Sequence, residues 1–271
     1  METRVAVVTG GGTGIGRAIA AALAERGDQV VILGRRAEVL EQTARELRIR
    51  WRQADVSRRE EVQAALDWVT AEVGPTIDVL VNNAGGTGGI DDGAPLERAE
   101  RVWDEVVGAN LKGSFLMAWA VRPYLRRPGG RIVNVSSIAA FSGRGGIYTA
   151  AKAGVVGLTY WLALELGPQG ITVNAVAPGF IEGTEFFGGR LTPEGRQRRV
   201  SQVPAGRSGR PEEIAAAVSY WPLPKPPTST ARSTTSMAAG CSAADRPRPS
   251  AAIPYQDGHG RRDHPSGIRV R

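Results

Sequence analysis

Tyr148 and Lys152, four residues apart in "YTAAK", are the pair whose types and spacing suggest chemistry. On a helix this spacing stacks two side chains on one face. A lone phenol titrates near pH ~10 and is a poor proton donor or acceptor at neutral pH. An ammonium beside it stabilises the phenolate and draws that value down toward useful proton transfer. The same spacing arises in any helix by chance, with the lysine then a solvated charge, so its meaning rests on its company.

Part of that company is "TGGGTGIG", residues 9–16. Gly10, Gly12, Gly14 and Gly16 stand between an apolar run and a helical pattern, with Thr13 and Ile15 in the same turn. Glycines so placed allow a tight turn and a close approach of the backbone to a pyrophosphate at a helix N-terminus. The plain alternative is a glycine-rich turn that binds nothing. The next apolar run ends in "LGRR", with Gly34 where NAD sites commonly carry an acid for the ribose 2′-hydroxyl. Arg35 and Arg36 follow. A guanidinium holds a phosphate through two parallel hydrogen bonds, and the missing carboxylate removes a repulsion. The position favours NADP(H) over NAD(H), against an exposed basic pair that merely opens a helix. Asp55, followed by Val56 in "ADV", is placed either to accept from an adenine amino group or to cap the next helix.

The apolar patterning supplies a frame for these segments. "RVAVVTG" is a short β-branched run that stops in glycine, as buried parallel strands do, and "IGRAIAAALAERG" then carries helical spacing. The alternation repeats with "QVVILG" and "AEVLEQTARELR", then "IRWRQADV" and "REEVQAALDWVTAEVG". "IDVLVNNAG" precedes a mostly helical stretch over residues 96–125, "GRIVNVSS" precedes the helix opening on "YTAAK", and "ITVNAVAPG" closes the series. Six strands alternating with helices predict a single α/β domain with a Rossmann-type, doubly wound parallel sheet. Its ligands belong beyond the carboxyl ends of the strands.

Composition narrows the function classes. A chain of 271 residues, 42% hydrophobic, is long enough to bury one sizeable core. The net charge of +7 would raise nucleic acid or membrane partners, but residues 221–271 hold eight Lys or Arg against three acids, so most of the excess sits in the tail. Without an RNA-binding aromatic motif or helix-turn-helix spacing, neither nucleic acid nor membrane is expected as a partner. Cys241, His259 and His264, the only residues of their kinds, also lie in the tail. The body is therefore expected to lack a disulfide framework, a Cys or His metal site and a histidine base. No apolar run approaches the roughly 18 residues of a membrane span and no signal peptide precedes the first strand, so a cytoplasmic protein is expected.

Jointly, the motifs resemble the short-chain dehydrogenase/reductase family. "TGGGTGIG", "ADV", "NNAG" at residues 82–85, "NLKGSF" from Asn110, the pair Ser136 and Ser137, "YTAAK" and "NAVAPGFI" at residues 174–181 occur in the family's order over about residues 3–220. With "VPAGRSGRPEEIA" from Val203, the wording is most similar to the 3-oxoacyl-carrier-protein reductases, though many relatives with other substrates share it. The resemblance implies that Tyr148 protonates a carbonyl oxygen, or deprotonates the alcohol in reverse, and that Lys152 lowers its pKa and bonds the nicotinamide ribose. Ser137 would hold the substrate oxygen, with Ser136 the less usual choice, and Asn110 would position a water in a proton relay toward Lys152. Asn83, Ala84 and Gly85 would line the adenosine ribose. Pro178, Gly179 and Ile181 would flank the nicotinamide, and Thr184 would bond its amide. Two departures are visible: the Ser137–Tyr148 interval is short for the family, and Thr184 sits one residue late because of an extra glycine in "FIEGTEFF".

The implied activity is NADPH-dependent interconversion of a carbonyl and a secondary alcohol, of the 3-oxoacyl type, in a family that commonly forms homotetramers. Residues 182–200 lie where the family keeps a mobile substrate lid. Phe186 and Phe187 would cover an apolar chain and Arg190, Arg196, Arg198 and Arg199 would meet an acidic carrier protein, or the stretch is a short helix with a solvated basic face. Two other functions stay open. A nonenzymatic dinucleotide binder or inactivated remnant would need neither Tyr148 nor Ser137, and a sugar-nucleotide epimerase or dehydratase would need a larger C-terminal substrate domain.

Residues 221–271 break the pattern. After "GRPEEIAAAVSY" the family continues to a Tyr-x-x-Gly turn and a seventh strand, whereas this chain runs "WPLPKPPTSTARSTTSMAAG". Joining the last base of each codon from Tyr220 onward to the first two bases of the next forces Leu from Tyr-Trp, Ala from Trp-Pro and Gly from Met-Ala. The shifted frame also permits Leu-Ala-Ser-Pro-Glu-Ala-Ala-Tyr-Val-Asn-Gly-Gln-Val-His-His-Val-Asn-Gly-Gly, which looks like the family's missing C-terminus. On that reading the domain is residues 1–220, the seventh strand is lost and the homotetramer is in doubt. The competing reading is a genuine proline-rich linker or ligand segment.

Overall fold

Alternate residues of the first strand face opposite ways, and that alternation builds two apolar layers. In a computed structural model that describes residues 3–143, 145–187 and 191–220, β1 (Val5–Thr9) is buried on both faces. Val5 and Val7 pack with Leu66 and Val69 of α3 (Arg59–Glu72), Met117 and Val121 of α5 (Gly113–Val121) and Leu162 and Leu166 of α7 (Ile147–Leu166). Ala6 and Val8 pack with Ile19 and Leu23 of α1 (Gly14–Glu25), Leu40 and Ala44 of α2 (Ala37–Leu47) and Ile214 and Val218 of α9 (Pro211–Tyr220). A strand covered on both sides must be apolar throughout, which is why its sequence reads as an unbroken run.

The remaining strands are β2 (Gln29–Gly34), β3 (Arg50–Gln53), β4 (Val79–Asn82), β5 (Arg131–Val135) and β6 (Thr172–Val176). All pair in parallel, in the order β3-β2-β1-β4-β5-β6. The sheet is doubly wound, as expected from the alternation, and its direction reverses between β1 and β4, where a crevice opens. Among the described residues β6 pairs only with β5. Residues 221–271, with Cys241, both histidines and the out-of-frame reading, lie outside the described residues, as do Arg190 and the Phe187 side chain.

Three local features differ from the sequence expectation. β3 is four residues long; the Ala54 N–H still bonds Gly34 O of β2 at 2.8 Å, and the chain leaves the sheet at Asp55, whose N–H bonds Glu61 Oε2 at 2.8 Å. The stretch expected to be helical over residues 96–125 is divided into α4 (Leu96–Val107), a π-helical segment (Gly108–Lys112) and α5, closing in a 3₁₀ turn. Inside the π segment the Asn110 side-chain amide donates to Val106 O and Gly86 O, both at 2.8 Å, and Ser114 Oγ donates to Asn110 O at 2.8 Å. Side chains thus take carbonyls of the ladder, at a position where such bulges often serve function. Finally, Ile147–Gln169, at mean hydropathy 1.2, is long and apolar enough to cross a membrane, contrary to the expectation of no such run. It is a core helix here, with Val155, Leu162 and Leu166 buried.

Candidate active site

The carboxyl ends of the strands open on one cleft of about 850 Å³. Gly10, Gly12, Thr13, Gly14 and Ile15 line it, and Gly10 and Gly14 have φ of +63° and +51°, a left-handed conformation that glycine adopts without strain. Gly16 does not line the cleft. A Cβ there would lie 2.2 Å from Gly10 O, so Gly16 lets the turn pack against α1 rather than touching a ligand. Asn83, Ala84 and Gly85 line the opposite wall after β4. The Asn83 amide is committed to the glycine turn, donating to Thr9 O at 3.0 Å and Gly10 O at 3.2 Å. Thr9 Oγ1 in turn accepts the Asn83 and Ala84 N–H groups, each at 3.0 Å, stapling β4 to β1.

At the far end, Gly34, Arg35 and Arg36 line the cleft after β2. Arg36 donates to Glu185 Oε2 at 2.5 Å, an ion pair across the mouth of the cleft. Asp55 and Val56 also line it. Asp55 Oδ1 accepts from both the backbone N–H and the hydroxyl of Ser57, at 2.9 and 2.7 Å. Burial works against ionisation of Asp55, but the Ser57 hydrogen bonds and nearby arginines outweigh it and hold the carboxyl below its ordinary range. Asp55 therefore orders the turn before α3 and faces the cleft, but it does not cap that helix, whose N-cap is Arg58 with no side-chain cap bond.

The proton-transfer candidates meet at the other end. Two elements bring Ser137 to Tyr148 across their short interval: α6 (Ala139–Ser142), which the sequence reading does not anticipate, and a turn in which Gly143 and Gly146 have positive φ. Ser137 Oγ accepts the Ala139 N–H at 3.2 Å and lies near enough to the Tyr148 phenol to lower its pKa. Ser136 Oγ donates instead to Lys152 O at 2.8 Å, which fastens α7 to the end of β5. Lys152 is buried, donates from Nζ to Val135 O at 2.8 Å, and lies 5.6 Å from the centre of the Tyr148 ring. A Cβ on Gly85 would lie 2.2 Å from Asn110 Oδ1 and 3.4 Å from Lys152 Nζ, so these two groups converge on one small space. Asn110 Oδ1 is buried and accepts from no other group among the described residues.

The electrostatics correct one expectation, that Lys152 pulls the Tyr148 pKa down. Burial instead pushes Tyr148 up to about 12, opposed only by the Ser137 hydroxyl. The same burial pushes Lys152 down to about 8. Both shifts disfavour the charged form, as removal from water must.

The substrate side of the cleft is closed by residues 181–187. Ile181, Pro178 and Gly179 line it, and so does Thr184, for Gly183 at φ +71° absorbs the extra residue. Thr184 Cγ2 comes within 3.1 Å of the place a Cβ on Gly14 would take. The Phe186 ring meets Tyr148 edge-on, with centroids 5.4 Å apart. Part of the expected basic face is spent internally, since Arg196 bonds Glu182 and Arg199 lies 6.0 Å over the Phe180 ring.

A family model for short chain dehydrogenases matches residues 4–194. The chain belongs to the short-chain dehydrogenases. This dehydrogenase is 40% identical over 235 residues to a 3-oxoacyl-[acyl-carrier-protein] reductase of Vibrio cholerae, covering 83% of this chain and 92% of that one. It is 42% identical over 227 residues to an acetoacetyl-CoA reductase of Rhizobium meliloti, covering 80% and 90%. A crystal structure of an actinorhodin polyketide ketoreductase variant with NADPH superposes with a TM-score of 0.71 at 39% identity, covering 80% of this chain and 89% of that one.

Sequence reasoning missed several lining groups of this dehydrogenase. Gly86, Thr87 and Gly88, with Asp104 and Glu105 of α4, extend the cleft beyond Asn110. Glu185 was missed too, although an acid beside the lid phenylalanines in "TEFF" was a visible signal. Of the two serines after β5, Ser137 is the one that influences the phenol, while Ser136 is occupied by the backbone of α7.

Proposed function

We propose that this chain is an NADP(H)-dependent ketoreductase that reduces 3-oxoacyl thioesters, carrier-bound or as free thioesters, within the cytoplasm. One observation carries the reading: Ser137, Tyr148 and the buried Lys152 line one end of a glycine-walled cleft, with Lys152 Nζ 5.6 Å from the centre of the Tyr148 ring. The cleft fits a dinucleotide, since Gly16 and Gly10 approach too closely for any side chain and leave the turn's backbone facing the cleft. In this reading Gly10, Gly12, Thr13, Gly14 and Ile15 hold the pyrophosphate and Arg35 and Arg36 the 2′-phosphate. Asp55 and Val56 take the adenine, Asn83, Ala84 and Gly85 the adenosine ribose, and Pro178, Gly179, Ile181 and Thr184 the nicotinamide. A reduced nicotinamide supplies the hydride when bound.

The chain's own residues supply orientation and a proton. Tyr148, raised to about 12, is protonated at neutral pH and is the donor to the carbonyl oxygen, which the Ser137 hydroxyl orients. Lys152 and Asn110, converging beside Gly85, hold the water or hydroxyl that returns a proton to Tyr148. Similarity to a 3-oxoacyl-[acyl-carrier-protein] reductase, an acetoacetyl-CoA reductase and a polyketide ketoreductase supports the substrate class. Residues 1–220 form the catalytic unit, residues 221–271 are its out-of-frame C-terminus, and the family's homotetramer depends on the strand that this change removes. Turnover of acetoacetyl-CoA with NADPH, faster than with NADH at equal concentration, is the expected result. Tight dinucleotide binding with no reduction of any 3-oxoacyl thioester would identify an inactive remnant instead.

A further inference from the structure

Three consecutive lid residues touch three separate parts of the cleft. Thr184 lies against Gly14 of the glycine turn, Glu185 bonds Arg36 at 2.5 Å, and Phe186 sits edge-on to Tyr148 with centroids 5.4 Å apart. The middle contact is the informative one. Arg36 is one of the two guanidinium groups assigned to the 2′-phosphate, and a carboxylate of the lid already holds it. From the proposed NADP(H) reading, on which this inference rests, we propose that Glu185 is a specificity-determining residue that competes with the 2′-phosphate of the dinucleotide for Arg36.

The chemistry of the contest is simple. Arg36 and Glu185 are 58% and 60% exposed at their side chains, so water screens the pair and it contributes little. A phosphomonoester carries about −1.5 to −2 charge at neutral pH and three acceptor oxygens, and so displaces a single carboxylate. The displaced Glu185 stays tethered beside the site, because Thr184 and Phe186 are anchored on either side, and it keeps competing for Arg36. A dinucleotide without the 2′-phosphate meets no such contest. Glu185 therefore narrows the preference that Arg35 and Arg36 create.

The test uses the full chain and two probes that differ only in the 2′-phosphate, adenosine 2′,5′-bisphosphate and AMP, titrated calorimetrically at low ionic strength. The readout is the ratio of their affinities. Glu185→Gln is expected to raise the bisphosphate preference about two- to five-fold, the range of an exposed ion pair. That gain should vanish in an Arg36→Ala background. The double variant Arg35→Ala/Arg36→Ala tests the underlying reading and should collapse the preference. If it collapses while Glu185→Gln changes nothing, or while the Glu185→Gln gain survives without Arg36, the competition is overturned and the NADP(H) reading stands. If the double variant leaves the preference intact, the NADP(H) reading falls and the competition falls with it.

Discussion

At neutral pH the Tyr148 phenol, raised to about 12 by burial and drawn back only in part by Ser137, carries its proton and is ready to give it away. Removing the hydroxyl as Tyr148→Phe should lower kcat/KM for reduction by about 10²- to 10⁴-fold, the usual worth of a positioned proton donor, with dinucleotide affinity retained. Lys152 sets the pH limit. Its ammonium, lowered from 10.5 to about 8, is present below that pH and lost above it, so reduction should decline as pH rises through about 8. A pH–rate profile with wild-type protein checks this. The same shift has a stability sign: between about 8 and 10.5 the unfolded chain binds the proton that the folded chain has released, so stability should rise with pH over that window. Below it the buried ammonium costs up to about 3 kcal/mol, at 1.36 kcal/mol per unit, less what the bond to Val135 O returns. Lys152→Met is therefore expected to abolish reduction and raise Tm by several degrees at pH 7, which thermal unfolding would reveal. The tyrosine–lysine pair was legible from its spacing. The direction of the Tyr148 shift was not, because burial belongs to the packing of α7 against β5 and Phe186 rather than to any local pattern.

The glycine turn and the π segment show what patterning does and does not reveal about elements. Gly16 was legible as part of a binding motif, but a methyl group placed on it would lie 2.2 Å from Gly10 O, which makes it a packing residue. Gly16→Ala should push β1 and α1 apart, weaken dinucleotide binding by at least about tenfold and cost roughly 1–3 kcal/mol of stability, measured by titration and urea unfolding. Periodicity carried the helical character of residues 96–125 but not the break at Gly108–Lys112. That break is made by the Asn110 and Ser114 side chains reaching backbone carbonyls, one of them on the distant Gly86, and no helical count records such a reach. Asn110 was nonetheless identified through its motif, and its position beside Lys152 is a product of this break.

For the whole molecule, parallel pairing and the position of the cleft followed from alternating strands and helices, while the order of the strands came from the structure. The lid contacts were less legible, because Arg36 and Glu185 are 149 positions apart and meet only through the tertiary fold. Among the described residues β6, like β3 at the opposite end of the sheet, pairs on one side alone, and an unpaired edge invites association with other chains. Restoring the alternate frame after Tyr220 should therefore raise Tm and soluble yield and increase the reduction rate, and equal values for the two versions would contradict the out-of-frame reading. The central claim is direct reduction of a 3-oxoacyl thioester in this cleft with Tyr148 as proton donor. Its most direct test is acetoacetyl-CoA with NADPH deuterated at the transferable position of the nicotinamide, followed by mass spectrometry of the product. The expected product is a 3-hydroxybutyryl thioester carrying deuterium on the hydroxyl-bearing carbon, formed by wild-type protein and essentially lost in Tyr148→Phe. An unreduced substrate with wild-type protein, or undiminished deuterium transfer by Tyr148→Phe, would contradict that claim.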